Sequence, residues 1–379
     1  MRGGFKRIRK NSIPRYGRRS LNKRSAPYRT DTGSTDNRHS DAHPKISRTQ
    51  HMRRQSPPDS QMAITKSTTK MDRFLSCDWG TSSFRLRLVD ADSLRVIAEE
   101  KSSTGIAETF QQWQQTASSR EQFYAAVINR HVAAMETQLN ISLAKIPVIL
   151  SGMASSSIGM KELPYKTLPF QLDGSDLSVQ TAGNMIIISG ATTGQDVMRG
   201  EETKIVGCAA LLPDTHREQL LILPGTHAKH VTIRGGQAKD FRTFMTGEFF
   251  ELLSARSVLT ASVKGDGNFN EQASRRAFEA GVEAGGSVNL LHAAFLVRTN
   301  DVLKKMPPQE NYFYLSGLLI GAELREAQAG APVYLAGGPQ HLPLYTAACE
   351  TLHIAVEGRI DADEALVRGQ HIVWTHLQR

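Results

Sequence analysis

No glycine-rich loop of the G-x-x-x-x-G-K-[ST] type occurs in the chain, which excludes a P-loop enzyme. No G-x-G-x-x-G follows a strand-like run. The kinase catalytic loop and the G-x-S-x-G elbow are missing as well, so the dinucleotide, protein-kinase and serine-hydrolase readings fall away. Neither C-x-x-C nor H-E-x-x-H is present to suggest zinc. Cysteine is scarce: Cys77, Cys208 and Cys349 are widely spaced and fit no disulfide pattern. That usage points to a reducing compartment and a cytoplasmic protein. No apolar run approaches the roughly 18–20 residues of a membrane span, so no membrane partner is expected. No apolar segment follows the basic start, which argues against a secretory signal.

Acidic residues are scarce in one segment only. Residues 1–70 hold 4 Asp/Glu against 18 Lys/Arg, a net of +14, whereas residues 71–379 hold 33 acidic and 28 basic residues, a net of −5. The basic balance of the whole chain therefore belongs to this segment. It is rich in Arg, Ser, Thr, Pro and Asn and poor in aliphatics, so it cannot bury enough apolar surface to offset its ordering entropy. It reads as a disordered basic extension. A nucleic-acid-binding arm, a transit-like segment and an over-long start compete as explanations. The favoured expectation is a dispensable tail or an over-long start, with the folded body beginning near Met71. Nucleic acid is expected as a partner through 1–70 or not at all.

The body is organised around Phe74 to Asp90, FLSCDWGTSSFRLRLVD. A strand at 74–77 is followed by Asp78-Trp79-Gly80-Thr81-Ser82. A second strand then alternates Phe84, Leu86 and Leu88 with Arg85 and Arg87. Gly80 lets the turn approach a ligand. The Thr81 and Ser82 hydroxyls and the turn amides can donate to phosphate oxygens, and Asp78 can hold Mg²⁺ directly or through water. A plain hairpin with polar turn residues is the competing reading.

The remaining pattern alternates strands and helices. A strand is expected at 96–101 and a helix at Arg120 to Leu139. Strands follow at 147–150 and 185–188. The loop from Ser151 and Gly152 to Tyr165 is rich in small polar groups, as ligand loops after strand ends are. Arg199-Gly200-Glu201-Glu202-Thr203 opens a helix, and two adjacent glutamates exceed what the helix dipole ordinarily explains. Leu220 to Ile233 repeats the opening device: strand, Pro224-Gly225-Thr226-His227 turn, strand. Lys229 and His227 could add positive charge there. This second turn, about 147 residues after the first, suggests a duplicated architecture with one phosphate loop per half. Residues 240–260 read as core packing with a polar break. Helices are expected at 270–283, 286–297 and 312–326. A strand at 332–336 ends in Gly337-Gly338-Pro339 and leads into helices at 342–352 and 364–376. Strand, double glycine, helix suits a nucleotide lying across bare backbone.

Taken in order, D-W-G-T-S, S-G-M-A-S-S-S-I-G, R-G-E-E-T, P-G-T-H-A-K, F-M-T-G-E and A-G-G-P resemble the 2-dehydro-3-deoxygalactonokinase family. The likeness runs over residues 73–375 and leaves 1–70 uncovered. R-G-E-E-T with P-G-T-H-A-K carries most of the specificity. D-W-G-T-S alone marks the wider actin, sugar-kinase and heat-shock-chaperone ATPase superfamily. The resemblance implies an α/β fold of two ribonuclease-H-like lobes, about 71–190 and 191–379, with ATP and a sugar acid in the cleft between them. It implies ATP-dependent phosphorylation of 2-dehydro-3-deoxy-D-galactonate at its 6-hydroxyl. Gly80, Thr81 and Ser82 would form the first phosphate loop with Asp78 orienting Mg²⁺. Gly225 and Thr226 would form the second, and Gly337 and Gly338 would flank the adenosine. Related sugar kinases place an aspartate base just before the helix that leads into the second hairpin. Here Glu201 and Glu202 stand in that place, so the base is one of these two or Asp196. Lys161 and Arg199, with Ser151 and Gly152 nearby, are the candidates for the substrate carboxylate. A phosphatase of the same superfamily and an actin-like ATP switch are the alternatives. Either the galactonate-derived or the gluconate-derived acid fits the pattern, and so does a homo-oligomer.

Overall fold

The computed structural model describes residues 72–213, 215–325, 327 and 330–378; the expectations for 1–70 lie outside them. Apolar alternation sets the first strand: Phe74 faces one layer of the core while Leu75, Cys77 and Trp79 face another. β1 (Arg73–Trp79), β2 (Phe84–Asp90) and β3 (Val96–Ser102) form an antiparallel meander. Two helices follow, α1 (Ile106–Trp113) and α2 (Arg120–Leu139). The Ser119 hydroxyl accepts from the Gln122 N–H at 3.3 Å, which caps α2. β4 (Val148–Gly152) then lies parallel to β1.

A run of short strands comes next: β5 (Lys166–Thr167), β6 (Phe170–Gln171), β7 (Val179–Ala182), β8 (Met185–Ile188), β9 (Ala191–Thr192) and β10 (Val197–Met198). The second half begins with α3 (Glu201–Cys208) and a meander of β11 (Gln219–Leu223), β12 (Ala228–Arg234) and β13 (Gln237–Phe244). Four helices follow: α4 (Thr246–Arg256), α5 (Gln272–Ser287), α6 (Leu290–Val302) and α7 (Pro308–Leu324). β14 (Val333–Gly337), α8 (Leu342–Thr351), β15 (Val356–Asp361) and α9 (Ala362–His376) close the chain.

The two large sheets repeat one plan. The first runs β3-β2-β1-β4-β8-β7 and the second β15-β14-β11-β12-β13-β6. Each contains a three-strand antiparallel meander whose first strand takes a parallel neighbour, β4 or β14. A further parallel strand, β8 or β15, lies beyond it. This is the duplicated α/β architecture of two ribonuclease-H-like lobes. β6 departs from a simple division by sequence, because residues 170–171 pair with β13 of the second sheet.

One core cluster joins the facing sides of the two sheets through α3 and α9: Phe74 and Ile149, then Ile205 and Trp374, then Leu221 and Val231. α2 covers the outer side of the first sheet with Tyr124, Ile128 and Met135. Phe278 of α5 and Tyr345 of α8 cover that of the second. All three cysteines are buried thiols. Residues 240–260 bear out the expected core packing in part: Phe241 and Leu259 are buried core residues. The segment forms the end of β13 and the whole of α4, and α4 buries no residue fully; Phe249 is 44% exposed. Phe250 packs against the helical core, edge-on to Tyr312 with 4.9 Å between ring centroids, whereas Phe249 stays at the surface. No helix of the described residues is long and apolar enough to cross a membrane.

Candidate active site

The ends of β1, β4 and β11, the N-terminal half of α3 and one face of α4 enclose a cleft of about 660 Å³. Asp78 stands at its floor near the end of β1. Gly80, Thr81, Ser82, Gly152, Arg199, Glu201, Gly225 and Thr226 line it. Eight residues taken from four separate stretches of sequence thus share one space with Asp78.

Each turn is braced by a helix. The Gly80 N–H donates to the Ser83 carbonyl at 2.9 Å, which closes the first turn. The N–H groups of Ile106 and Ala107 donate to the carbonyls of Gly80 and Thr81 at 3.0 and 3.2 Å, so α1 begins against the turn. Gly105 makes that approach possible: a Cβ there would fall 2.2 Å from the Thr81 carbonyl oxygen. The second turn repeats the arrangement. The Glu248 N–H donates to the Thr226 carbonyl at 3.1 Å. A Cβ on Gly247 of α4 would lie 2.7 Å from the Gly225 carbonyl oxygen. With the carbonyls taken, the amides are left over. Among the described residues no acceptor takes the N–H of Thr81, Ser82, Gly225 or Thr226. Unpaired amides in a tight turn suit an anion.

The start of α3 decides the fate of the two glutamates. Gly200 has φ +107 and lies so close to Gly152, φ +86, that a Cβ on it would be 3.1 Å from the Gly152 Cα. This pins α3 to the end of β4. Glu201 faces the cleft. Its Oε2 accepts from the Arg199 N–H at 3.0 Å, and its Oε1 lies 3.3 Å from the Lys229 ammonium. Glu202 points the other way and is fully buried. Its Oε2 accepts from the Gly200 N–H at 2.7 Å and its Oε1 from the Thr203 hydroxyl at 3.0 Å. Burial, with the neighbouring Glu201 charge, pushes its carboxyl up to about 7.

Glu202 ends a buried chain of donors. The Gln370 amide of α9 donates to the Ser151 hydroxyl at 3.0 Å, Ser151 donates to Thr203 at 3.2 Å, and Thr203 donates to Glu202. Gln370 also donates to the Cys77 carbonyl, next to Asp78, at 3.0 Å. Ser151 is therefore a buried link between the strand end and two helices and is not exposed to the cleft.

Three other expected residues are used differently. Lys161 does not line the cleft; its ammonium pairs with Glu121 of α2 at 3.0 Å. Asp196 is spent on β13, accepting from the Thr243 N–H at 2.7 Å and its hydroxyl at 2.8 Å. The Arg199 guanidinium reaches the cleft wall but is held from behind. It donates to the Ser155 carbonyl and, at 2.7 Å, to the Ser155 hydroxyl, and stacks 4.2 Å over the Tyr165 ring. At the far wall, Ala336 lines the cleft and Gly337 follows it beside Pro224. Gly338 has nothing within 4 Å of where a side chain would be, and its carbonyl accepts from the His341 and Leu342 amides at 3.0 Å.

Sequence reading missed one wall. Glu248, Glu251, Leu252 and Arg256 of α4 line the cleft, as does Lys204 of α3. The spacing i, i+3, i+4, i+8 marks one helix face, and Lys204 stands one turn beyond Glu201. Both signals were present in the sequence. His227, at the tip of the second turn, meets Glu248 with 2.6 Å between Nε2 and Oε2.

A family model described as 2-keto-3-deoxy-galactonokinase matches residues 78–373. The chain is 34% identical over 259 residues to the 2-dehydro-3-deoxygalactonokinase of Escherichia coli (strain K12), covering 66% of this chain and 79% of that protein. It is 32% identical over 316 residues to DgoK1 of Rhizobium meliloti (strain 1021), a candidate enzyme of the same name, covering 78% and 94%. A crystal structure of a candidate 2-dehydro-3-deoxygalactonokinase from Sinorhizobium meliloti superposes with a TM-score of 0.67 at 29% identity, over 79% of this chain and 95% of that one.

Proposed function

Because the chain belongs to the 2-keto-3-deoxy-galactonokinase family, we propose that it transfers the γ-phosphoryl group of ATP to the 6-hydroxyl of 2-dehydro-3-deoxy-D-galactonate. The products are 2-dehydro-3-deoxy-6-phosphogalactonate and ADP, a step of galactonate catabolism. The observation that carries this reading is the meeting of Glu201 with both amide-bearing turns in one cleft. Phosphoryl transfer asks little covalent chemistry of a protein; it asks for positioning and charge stabilisation. The amides of Thr81, Ser82, Gly225 and Thr226 receive the phosphate oxygens. Glu201, which lines the cleft, takes the proton of the acceptor hydroxyl as its oxygen attacks phosphorus. Glu202 cannot do so from a buried position.

Asp78 fits Mg²⁺. Among the described residues no group of three or more His, Cys, Asp or Glu could cage a metal. A single carboxylate beside a phosphate turn suits an ion held mainly by water and phosphate oxygens. When bound, the ion neutralises charge on those oxygens. The substrate carboxylate is assigned to Lys204 and Arg256, the cleft cations that replace Lys161, with Arg199 at the rim. The adenosine is assigned to the side of Ala336, Gly337 and Gly338. Three buried thiols fit the cytoplasm.

ADP release, measured over a panel of 2-keto-3-deoxy sugar acids, tests the reading. ADP should appear only with a sugar acid, and fastest with the galactonate-derived one. Steady ATP hydrolysis that ignores every acid would favour the phosphatase or switch alternative instead.

A further inference from the structure

We propose that Lys229 is a positioning residue for this reaction: its ammonium holds the Glu201 carboxylate in register with the second phosphate turn. The proposal rests on Glu201 being the base. Lys229 stands on β12, two residues past the turn, and is 3% exposed. It does not line the cleft. Its ammonium donates to the His227 carbonyl at 2.9 Å and lies 3.3 Å from Glu201 Oε1. Glu201 Oε2 is fixed by the Arg199 N–H at 3.0 Å.

A buried ammonium left without a partner is costly, so Lys229 is committed to these two acceptors and is not a phosphate ligand. The consequence is mechanical and electrostatic. The same three-donor head grips the turn that receives phosphate and the acid that receives the proton. Lys supplies a compact charge with donors to spare for both. Shifting one without the other would break a contact.

The charge itself is needed. Arg199, Glu202 and Lys204 surround Glu201 on and before α3. His227, Glu248 and Glu251 face it from the second turn and α4, and Asp78 from β1. Asp78, Glu248 and Glu251 are acids, and like charges nearby disfavour a further one. Lys229 is the cation at ion-pair distance that compensates.

The test is the pH profile of kcat/KM for the sugar acid in Lys229→Met and Lys229→Gln, each in the full chain. The acid limb, below which the base is protonated, should move to higher pH by about one unit or more in both. Rate should return above the shifted limb. Lys229→Gln keeps an N–H for the His227 carbonyl, so an equal shift assigns the effect to charge. An unmoved limb with a uniformly lowered rate would overturn the proposal.

Glu201→Gln separates the two claims. If it retains near-normal turnover, the assignment of the base fails. If it is inactive while the Lys229 limb stays in place, only the positioning role fails. Should Lys229→Met not fold, the Glu201→Gln/Lys229→Met double variant decides: recovery of folding supports the pair. Failure of both to fold would assign Lys229 to packing and overturn the proposal.

Discussion

Gly207 and Gly369 face one another where α3 crosses α9, and neither position has room for a side chain. A Cβ on Gly207 would fall 1.7 Å from the Ala365 carbonyl oxygen, and one on Gly369 would fall 1.9 Å from that of Thr203. The crossing sets the spacing of the site. Glu201 opens α3, and Gln370, one residue past Gly369, grips the Cys77 carbonyl beside Asp78. Gly207→Ala and Gly369→Ala should each cost at least the ~1–3 kcal/mol typical of overpacking, because rigid backbone, not a flexible side chain, is in the way. Urea unfolding measures this. A variant as stable as the parent would mean that the helices separate freely.

Asp78 is expected to serve the metal and not the fold. Asp78→Asn should lower kcat by orders of magnitude while the thermal midpoint stays close to that of the parent. Near-normal turnover at saturating Mg²⁺ would remove the role.

Glu202 should imprint its burial on the pH dependence of stability. Its carboxyl ordinarily titrates near 4.5 and is raised to about 7 in the fold. Between those values the folded state binds more protons than the unfolded one. Stability therefore falls as pH rises across that window and levels off above it. In Glu202→Gln this contribution disappears. The amide also cannot accept from both Gly200 and Thr203, so absolute stability shifts too, and the slope is the clean observable. Urea midpoints from pH 4.5 to 7.5 should fall less steeply in the variant than in the parent. Parallel curves would show that Glu202 is solvated or compensated.

A chain beginning at Met71 should fold and turn over like the full one. β1 starts at Arg73 and the family match at residue 78. Loss of either property on truncation would give 1–70 a structural role. A salt-sensitive DNA affinity that disappears on truncation would instead make the segment a nucleic-acid arm.

Much of the fold was readable because it is local. β1 and β2 announce themselves by alternation, and α2 runs over the expected Arg120–Leu139. The repeated strand-turn-strand device foretold two matching sheets. The first turn, the second turn and the R-G-E-E-T stretch were each visible as motifs, and the structure brings them to one cleft. What was hidden is long-range. Nothing near Ser151 in sequence says that Gln370 and Thr203 will take its hydroxyl, or that Glu202 will end that chain. The pairing of Lys161 with Glu121 joins a loop to a helix 40 residues earlier, beyond any periodicity. α4 was missed in part for a different reason. Its phenylalanines drew attention to packing, which Phe250 does provide, and its polar face at 248, 251 and 256, which lines the cleft, went unread.

The most direct measurement is the turnover number of Glu201→Gln beside Glu202→Gln, at saturating ATP and sugar acid. A general base ordinarily contributes ~10²–10⁴-fold. Glu201→Gln should therefore lose at least ~100-fold in kcat, with ATP affinity and thermal midpoint little changed. Glu202→Gln should lose far less than Glu201→Gln. If Glu201→Gln keeps more than about a tenth of the parent's turnover, well short of a base's usual contribution, Glu201 is not the base and the proposed chemistry of the cleft is wrong.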